Sequence, residues 1–205
     1  MSYVELHCHS VFSLLDGAAQ PEQLVARAVA LGMPALALTD HDDLGGAVRF
    51  ATSAATAGIG GIIGVELTVD VPVDVPAAKL PNTHLVLLAE TREGYGNLST
   101  LITRARLDQW RGRPRVSLDV LAAHSAGVFA LTGCPRGWVP TLVARGESDA
   151  ACEATATLLD IFDRRVAIEC WDHALPDERS TVRELIAIAR ALDVPWVVTN
   201  DVHYA

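Results

Sequence analysis

No hydrophobic run in these 205 residues reaches the roughly 18 that a membrane-spanning helix needs, although half of the chain is hydrophobic. The amino-terminal stretch also lacks a basic segment followed by an apolar one, the form of an export signal. Together these absences predict a cytoplasmic protein with no membrane partner. Cysteine is scarce: Cys8, Cys134, Cys152 and Cys170 are the four present, and none forms a C-x-x-C pair. In a reducing compartment they read as buried thiols or a metal ligand, not as disulfides. Positive charge is short too, with 16 Lys and Arg against 25 Asp and Glu and a formal charge of −9. Non-specific grip on nucleic acid rests on cations that neutralise phosphates. Any phosphate contact here therefore has to be local or borne by a metal.

What the chain does contain is alternation. Short apolar runs with β-branched residues fall at 4–7, 35–39, 62–66, 85–89, 128–132, 166–169 and 196–199, separated by segments of helical period. Pro21 suits a first helical position, Leu24, Ala28 and Leu31 make one apolar face, and Gly32 with Met33-Pro34 stops the helix. Further helices are predicted over 44–57, 95–107, 138–144, 149–161 and 177–192. Residues 69–76 alternate Val with Asp or Pro and read as an edge ribbon or loop excursion. The five arginines of 104–115 read as a solvated helix end and linker, with a phosphate-facing basic loop as the alternative. Repeated strand-helix units predict an α/β fold with a parallel sheet, open and doubly wound or closed as a barrel, and seven units favour the barrel. In either form the functional groups belong at the carboxyl ends of the strands.

Those ends carry metal-capable side chains. His7 and His9 end the first predicted strand, Asp40 and His41 the second and Glu66 the third; Cys134 follows the fifth, and Asn200, Asp201 and His203 follow the seventh. Seven histidines in 205 residues would give only about a quarter of one His-x-His pair by chance. Imidazoles and carboxylates converging on one barrel mouth would repel or shift their pKa values without cations between them, so a divalent metal cluster is the economical reading. Neutral imidazole suits transition metals in particular.

His7-Cys8-His9-Ser10, Thr39-Asp40-His41, Gly64-Val65-Glu66, Thr132-Gly133-Cys134-Pro135 and Asn200-Asp201-Val202-His203-Tyr204 resemble the successive motifs of the PHP (polymerase and histidinol phosphatase) superfamily. Phe12-Ser13-Leu14-Leu15-Asp16-Gly17, Thr83-His84-Leu85 and Gly94-Tyr95-Gly96-Asn97-Leu98 are similar to one branch of it, the amino-terminal PHP domain of bacterial C-family DNA polymerase III alpha subunits and their error-prone relatives. The resemblance implies a distorted seven-stranded βα barrel (TIM-like) holding up to three divalent ions, with zinc or manganese favoured and magnesium as a further choice. It implies the ligands His7, His9, Asp16, His41, Glu66, His84, Cys134, Asp201 and His203. It further implies that His7, His9, Glu66 and Asp201 share one metal, that Glu66 bridges to a second held by His84 and Cys134, and that Asp16, His41 and His203 hold a third. Asp40, next to His41, reads as a proton carrier or a residue that orients a ligand imidazole, with simple loop capping as the alternative, and Arg136 as a candidate phosphate contact, with a plain surface arginine as the alternative. His84 fits least well on strand logic, because it precedes its apolar run instead of ending it.

The chemistry expected from this set is phosphoester hydrolysis by metal-activated water. Applied to a polymerase, it becomes 3′ to 5′ exonuclease action on a DNA 3′ end, for repair or proofreading. Two alternatives stay open: a free-standing phosphatase for a small phosphomonoester such as histidinol phosphate, and a non-catalytic scaffold module stabilised by its metals. Residues 1–205 are expected to form a single PHP domain, a fragment or truncated form of a larger polymerase whose last helix is missing and whose remainder is the partner.

Overall fold

A computed structural model describes residues 3–71, 83–109, 112–175 and 178–205. Seven strands occur among them: β1 (Ala35–Leu38), β2 (Gly60–Asp70), β3 (Thr83–Ala89), β4 (Val116–Ser117), β5 (Val128–Leu131), β6 (Val166–Cys170) and β7 (Trp196–Val198). The helices are α1 (Pro21–Ala30), α2 (Ala47–Ala57), α3 (Arg92–Leu107), α4 (Leu118–Ala123), α5 (Trp138–Ala144), α6 (Ser148–Ile161) and α7 (Glu178–Ala191). Local chemistry accounts for their ends. Pro21 opens α1 while the Gln23 side chain accepts from the backbone N–H of Gln20 at 2.8 Å. Gly58, at φ 74°, closes α2. Thr91 caps α3 by accepting from Gly94 N at 3.1 Å.

The strands curl into a distorted barrel in the order β1-β2-β3-β5-β6-β7, with β4 beside β2. Most neighbours are parallel, but β3 runs antiparallel to both β2 and β5, which corrects the all-parallel expectation. The two-residue β4 and the six-residue α4 carry too little periodicity to be seen in the sequence. The expected strand at 4–7 is not one: the segment makes isolated parallel bridges, Glu5 to Leu36 and Cys8 to Val202. It nevertheless forms the seam of the barrel. On one side Ala37 N donates to Glu5 O and Thr39 N to Cys8 O, both at 2.9 Å. On the other, His9 N donates to Val202 O at 2.7 Å and Val202 N to His7 O at 2.9 Å.

The main core gathers Leu67, Leu85, Leu87, Leu98, Leu101, Val139, Leu158, Phe162 and Ile168 between the sheet and α3, α5, α6 and α7. A second cluster, including Leu24, Val25, Leu36, Leu38 and Phe50, packs α1 and α2 on β1 and also takes in Cys8. Cys8 and Cys170 are thus buried packing thiols. Of the 69–76 stretch, Val69 and Asp70 end β2, and 72–76 lie outside the described residues, as do Trp110 and Arg111 of the basic stretch and Asp177 at the expected start of α7.

Candidate metal centre

The antiparallel β3 answers the difficulty with His84. Pairing Thr68 opposite His84 and Glu66 opposite Val86 puts the start of β3 level with the carboxyl half of β2. A residue that precedes its apolar run therefore arrives at the same mouth as residues that end theirs. The turn after β5 comes to the same place: Gly133, at φ 90°, and Gly137 allow the Thr132-Gly133-Cys134-Pro135 loop to lie against β3, where Gly137 bridges to His84. At the opening loop, Asp16 N and Gly17 N donate to Ser13 O, and Ala18 N donates to His203 O at 3.0 Å. These bonds carry Asp16 to the carboxyl-terminal segment.

Glu66 lies at the middle. Its Oε1 is 2.9 Å from His84 Nδ1, 3.5 Å from His7 Nε2 and 3.4 Å from Cys134 Sγ, and its Oε2 is 3.0 Å from His41 Nδ1. Asp201, at φ 47°, which Asp tolerates better than most residues, points Oδ1 at three imidazoles: His9 Nε2 at 3.2 Å and His7 Nε2 and His203 Nε2 at 3.4 Å each. Asp16 Oδ1 is 3.6 Å from His203 Nδ1. Three sets can each converge on one point: His7, His9 and Glu66; His9, Asp201 and His203; His41, Glu66 and His84. His41 therefore stands with Glu66 and His84, its ring edge-on to His84 at 4.3 Å between centroids, and not with Asp16 and His203 as the borrowed grouping has it. The reason is local: Asp42, at φ 50°, and Thr68 hold His41 Nε2 at 3.2 and 3.0 Å, which turns Nδ1 toward Glu66.

Residues behind the donors fix which ring atom faces inward. His7 Nδ1 is 2.7 Å from Glu169 Oε1, a carboxylate that only accepts, so Nδ1 carries a proton and Nε2 is the ring atom that faces the centre. Ser13 Oγ donates to Asp40 Oδ1 at 2.8 Å and accepts from His41 N at 2.9 Å. Its remaining lone pair accepts from His9 Nδ1 at 2.9 Å, which turns His9 Nε2 to the centre as well. The two Nε2 atoms face each other at 3.2 Å, a distance at which neutral Nδ1–H rings oppose two lone pairs and so call for a proton or a metal ion between them. Asp40 itself is buried and takes its bonds from Ser10 N, Ser10 Oγ and Ser13 Oγ. Its contact with the centre runs through Ser13. Ser13 and Glu169 are the functional residues that sequence reasoning missed. Glu169 did stand at a strand end, but the Ser13 contact had no signal.

The donor set fits divalent metal. Glu66 Oε2, Asp201 Oδ1 and both ring nitrogens of His84 are buried without an aligned hydrogen bond, although other polar groups stand about 3 Å away. Buried polar atoms are rarely left so, and nitrogen and oxygen donors converging on shared points suit a cation. The charge balance says the same. Burial disfavours an imidazolium at His7 and His41, yet Glu169 and Glu66 hold His7 well above its usual 6.5, and Asp42 and Glu66 raise His41 to about 10. Asp201 raises His203. In the reverse sense, His41, His7 and His84 overcome burial and hold Glu66 well below the carboxylate range, and His203 and His9 do so for Asp201. Burial and Glu66 push the Cys134 thiol up. The cluster thus demands positive charge, from protons or from metal. Arg136 stands at the rim, 3.6 Å from Asp16 and about half exposed. His124 follows α4, and His173 pairs with Glu178 at 2.9 Å while its Nε2 lies 3.0 Å from Asn200 O, next to Asp201.

A family model described as the PHP domain matches residues 5–173. The chain is 43% identical over 208 residues to an error-prone DNA polymerase of Mycolicibacterium paratuberculosis, covering 99% of this chain and 19% of that protein. It is 39% identical over 215 residues to the DNA polymerase III subunit alpha of Treponema pallidum, covering 100% and 18%. The chain thus spans about a fifth of the curated relatives it matches. Among solved structures, a candidate metal-dependent phosphoesterase of Bifidobacterium adolescentis superposes with a TM-score of 0.68 at 19% identity, over 98% of this chain and 88% of that one. An amidohydrolase of Chromobacterium violaceum gives 0.66 at 20% identity, over 98% and 87%. Both share the fold.

Proposed function

The chain belongs to the PHP domain family, and on that premise we propose that it is a metal-dependent phosphoesterase module of a C-family DNA polymerase, acting as a 3′ to 5′ exonuclease on DNA ends. The observation that carries the reading is the pair of buried Nε2 atoms of His7 and His9 facing each other at 3.2 Å beside Glu66 Oε2 and Asp201 Oδ1, which are buried without an aligned hydrogen bond. His7, His9, Glu66 and Asp201 would hold one ion, with Glu66 shared toward His41, His84 and Cys134, and Asp201 toward His203 and Asp16. Bound there, divalent ions supply Lewis acidity and lower the pKa of water near neutral pH, and zinc or manganese suits a set of imidazoles, carboxylates and one thiol.

The chain's own residues do the rest. Glu169 and the Ser13–Asp40 pair fix the His7 and His9 tautomers, the role that carboxylates and hydroxyls behind ligand imidazoles commonly fill. Asp42 and Thr68 do the same for His41. Arg136, half exposed beside Asp16, is placed to take a substrate phosphate oxygen. The polymerase assignment rests on the relatives, in which the matching segment belongs to an error-prone DNA polymerase and to a DNA polymerase III subunit alpha. Metal-loaded protein incubated with a 3′-mismatched primer, beside an Asp201→Asn variant, tests it. The proposal requires stepwise loss of 3′ nucleotides by the wild type and at least a hundredfold less by the variant. Equal cleavage by both, or none, refutes it.

A further inference from the structure

Beside the donor cluster lies a cleft of about 760 Å³, within the roughly 300–1,000 Å³ typical of ligand sites. Asp16 and His41 reach it from the centre, and Arg106, Arg113, Arg115 and Arg136 line it. In a chain of net charge −9, this is a local reversal of sign. The carboxylates that share the cleft are engaged: Asp42 accepts from Thr68 N and Oγ1, Asp43 pairs with Arg106 at 2.6 Å, and Asp16 stands 3.6 Å from both Arg136 and His203. Arg115 pairs with Asp70 at 3.0 Å, partly exposed. Such exposed pairs contribute only about 0–1 kcal/mol, so a phosphate can displace them. Arg113 is exposed.

At the lip stand Leu14 and Leu15, 84% and 109% exposed. Leu15 holds φ 69°, a left-handed conformation that leucine rarely adopts. The turn is not loose, because Ala18 N is bonded to His203 O and Gly17 packs against the carbonyl of Ser10. Two apolar side chains are thus held in water at the mouth of a basic cleft. A small phosphomonoester offers nothing to them, and one cation would serve its phosphate. A polynucleotide strand offers phosphates in series and base faces between them.

We propose that this cleft is a track for a single polynucleotide strand, in which Arg106, Arg113, Arg115 and Arg136 hold successive backbone phosphates and Leu14 with Leu15 contacts a base. The inference rests on the phosphoesterase reading for its chemistry and deepens it by naming the residues that grip the strand.

The probe is a labelled, phosphorothioate-linked oligothymidylate, titrated by fluorescence anisotropy with Mn²⁺ at several salt concentrations. Each phosphate contact contributes about −0.7 to the slope of log K against log salt for single strands, so four arginines predict a slope of about −3. Arg113→Gln and Arg115→Gln should each flatten it by about 0.7 and weaken binding several-fold. Arg164→Gln, which alters an arginine bonded to Asp193 O ahead of β6, should do neither. An oligonucleotide with abasic positions should bind the wild type more weakly than its complete counterpart, and Leu14→Ser should bind the two alike. Unaltered slopes in both cleft variants, an equal effect of Arg164→Gln, or abasic binding equal to the complete strand in the wild type overturns the proposal. Arginine-dependent binding without cleavage of any phosphoester would instead overturn the phosphoesterase reading and leave the track standing.

Discussion

Replacing Glu169 by glutamine tests whether the residues behind the donors govern metal affinity. Glu169 is fully buried and accepts from His7 Nδ1 at 2.7 Å and from Thr199 Oγ1 at 2.6 Å. As a carboxylate it permits one arrangement, with the His7 proton on Nδ1. Glutamine keeps the shape but loses the charge, and a charge-assisted bond of about 2 kcal/mol becomes a neutral one of about 1 kcal/mol. Its amide N–H₂ can also turn toward Nδ1, which drives the imidazole proton to Nε2, where it points at Glu66 and Asp201 and competes with any metal. Loss of such orienting partners elsewhere lowers metal affinity about 10–100-fold, and tenfold corresponds to about 1.4 kcal/mol. Competition titration of Zn²⁺ against a chromophoric chelator near neutral pH reads this directly. Glu169→Gln should bind at least one ion about tenfold more weakly with an unchanged circular dichroism spectrum. Affinity within twofold of wild type in a folded variant would refute the reasoning.

The metal-free protein should carry an opposite pH signature on its two sides. His7, His41 and His203 have folded pKa values raised above 6.5, so their contribution is full below about pH 6.5 and lost as pH rises toward the value of about 10 for His41. Glu66 and Asp201 are held low, so theirs is lost as pH falls below the ordinary carboxylate range. Melting of chelated protein should peak between these limits, and a curve still rising from pH 7 to 10 would contradict the assignment. Asp16→Asn should remove only part of the bound metal by elemental analysis, since Asp16 touches the cluster through His203 alone; loss of all or none contradicts the placement. Gly17→Ala should lower stability by several kcal/mol in urea titration, because a Cβ there overlaps the carbonyl of Ser10. A change below about 0.5 kcal/mol would show that the opening loop yields. Leu85→Ala, at a fully buried position, should cost about 2–5 kcal/mol in the same assay.

The sequence made legible the parts whose signals are local. The α5 helix lies over Trp138–Ala144 as its apolar spacing predicts, and Pro21 opens α1. The donor residues at strand ends were likewise visible one by one, because a strand exit and a side-chain type are both local facts. What escaped depends on pairing across distance. The antiparallel β3 looks like any parallel strand on paper, since direction is decided by which edges it joins, and so His84 looked misplaced. The 4–7 segment has the composition of a strand but bonds to β1 on one side and to Val202 on the other through isolated bridges. The contact of Glu169 with His7 spans 162 positions, and the Ser13 contact depends on a loop closed by Asp40. The place of His41 beside Glu66 and His84 is set by Asp42 and Thr68, whose roles no spacing records.

The central claim is that buried imidazole and carboxylate atoms face one another because they hold metal. Elemental analysis of protein purified without chelator, then reloaded with Zn²⁺ or Mn²⁺ and freed of excess ion, tests it most directly. With the three donor sets sharing His9 and Glu66, the account predicts at least two tightly held divalent ions per chain, with Asp201→Asn losing one or more. Less than one ion per chain under both metals, with the fold intact, would contradict it.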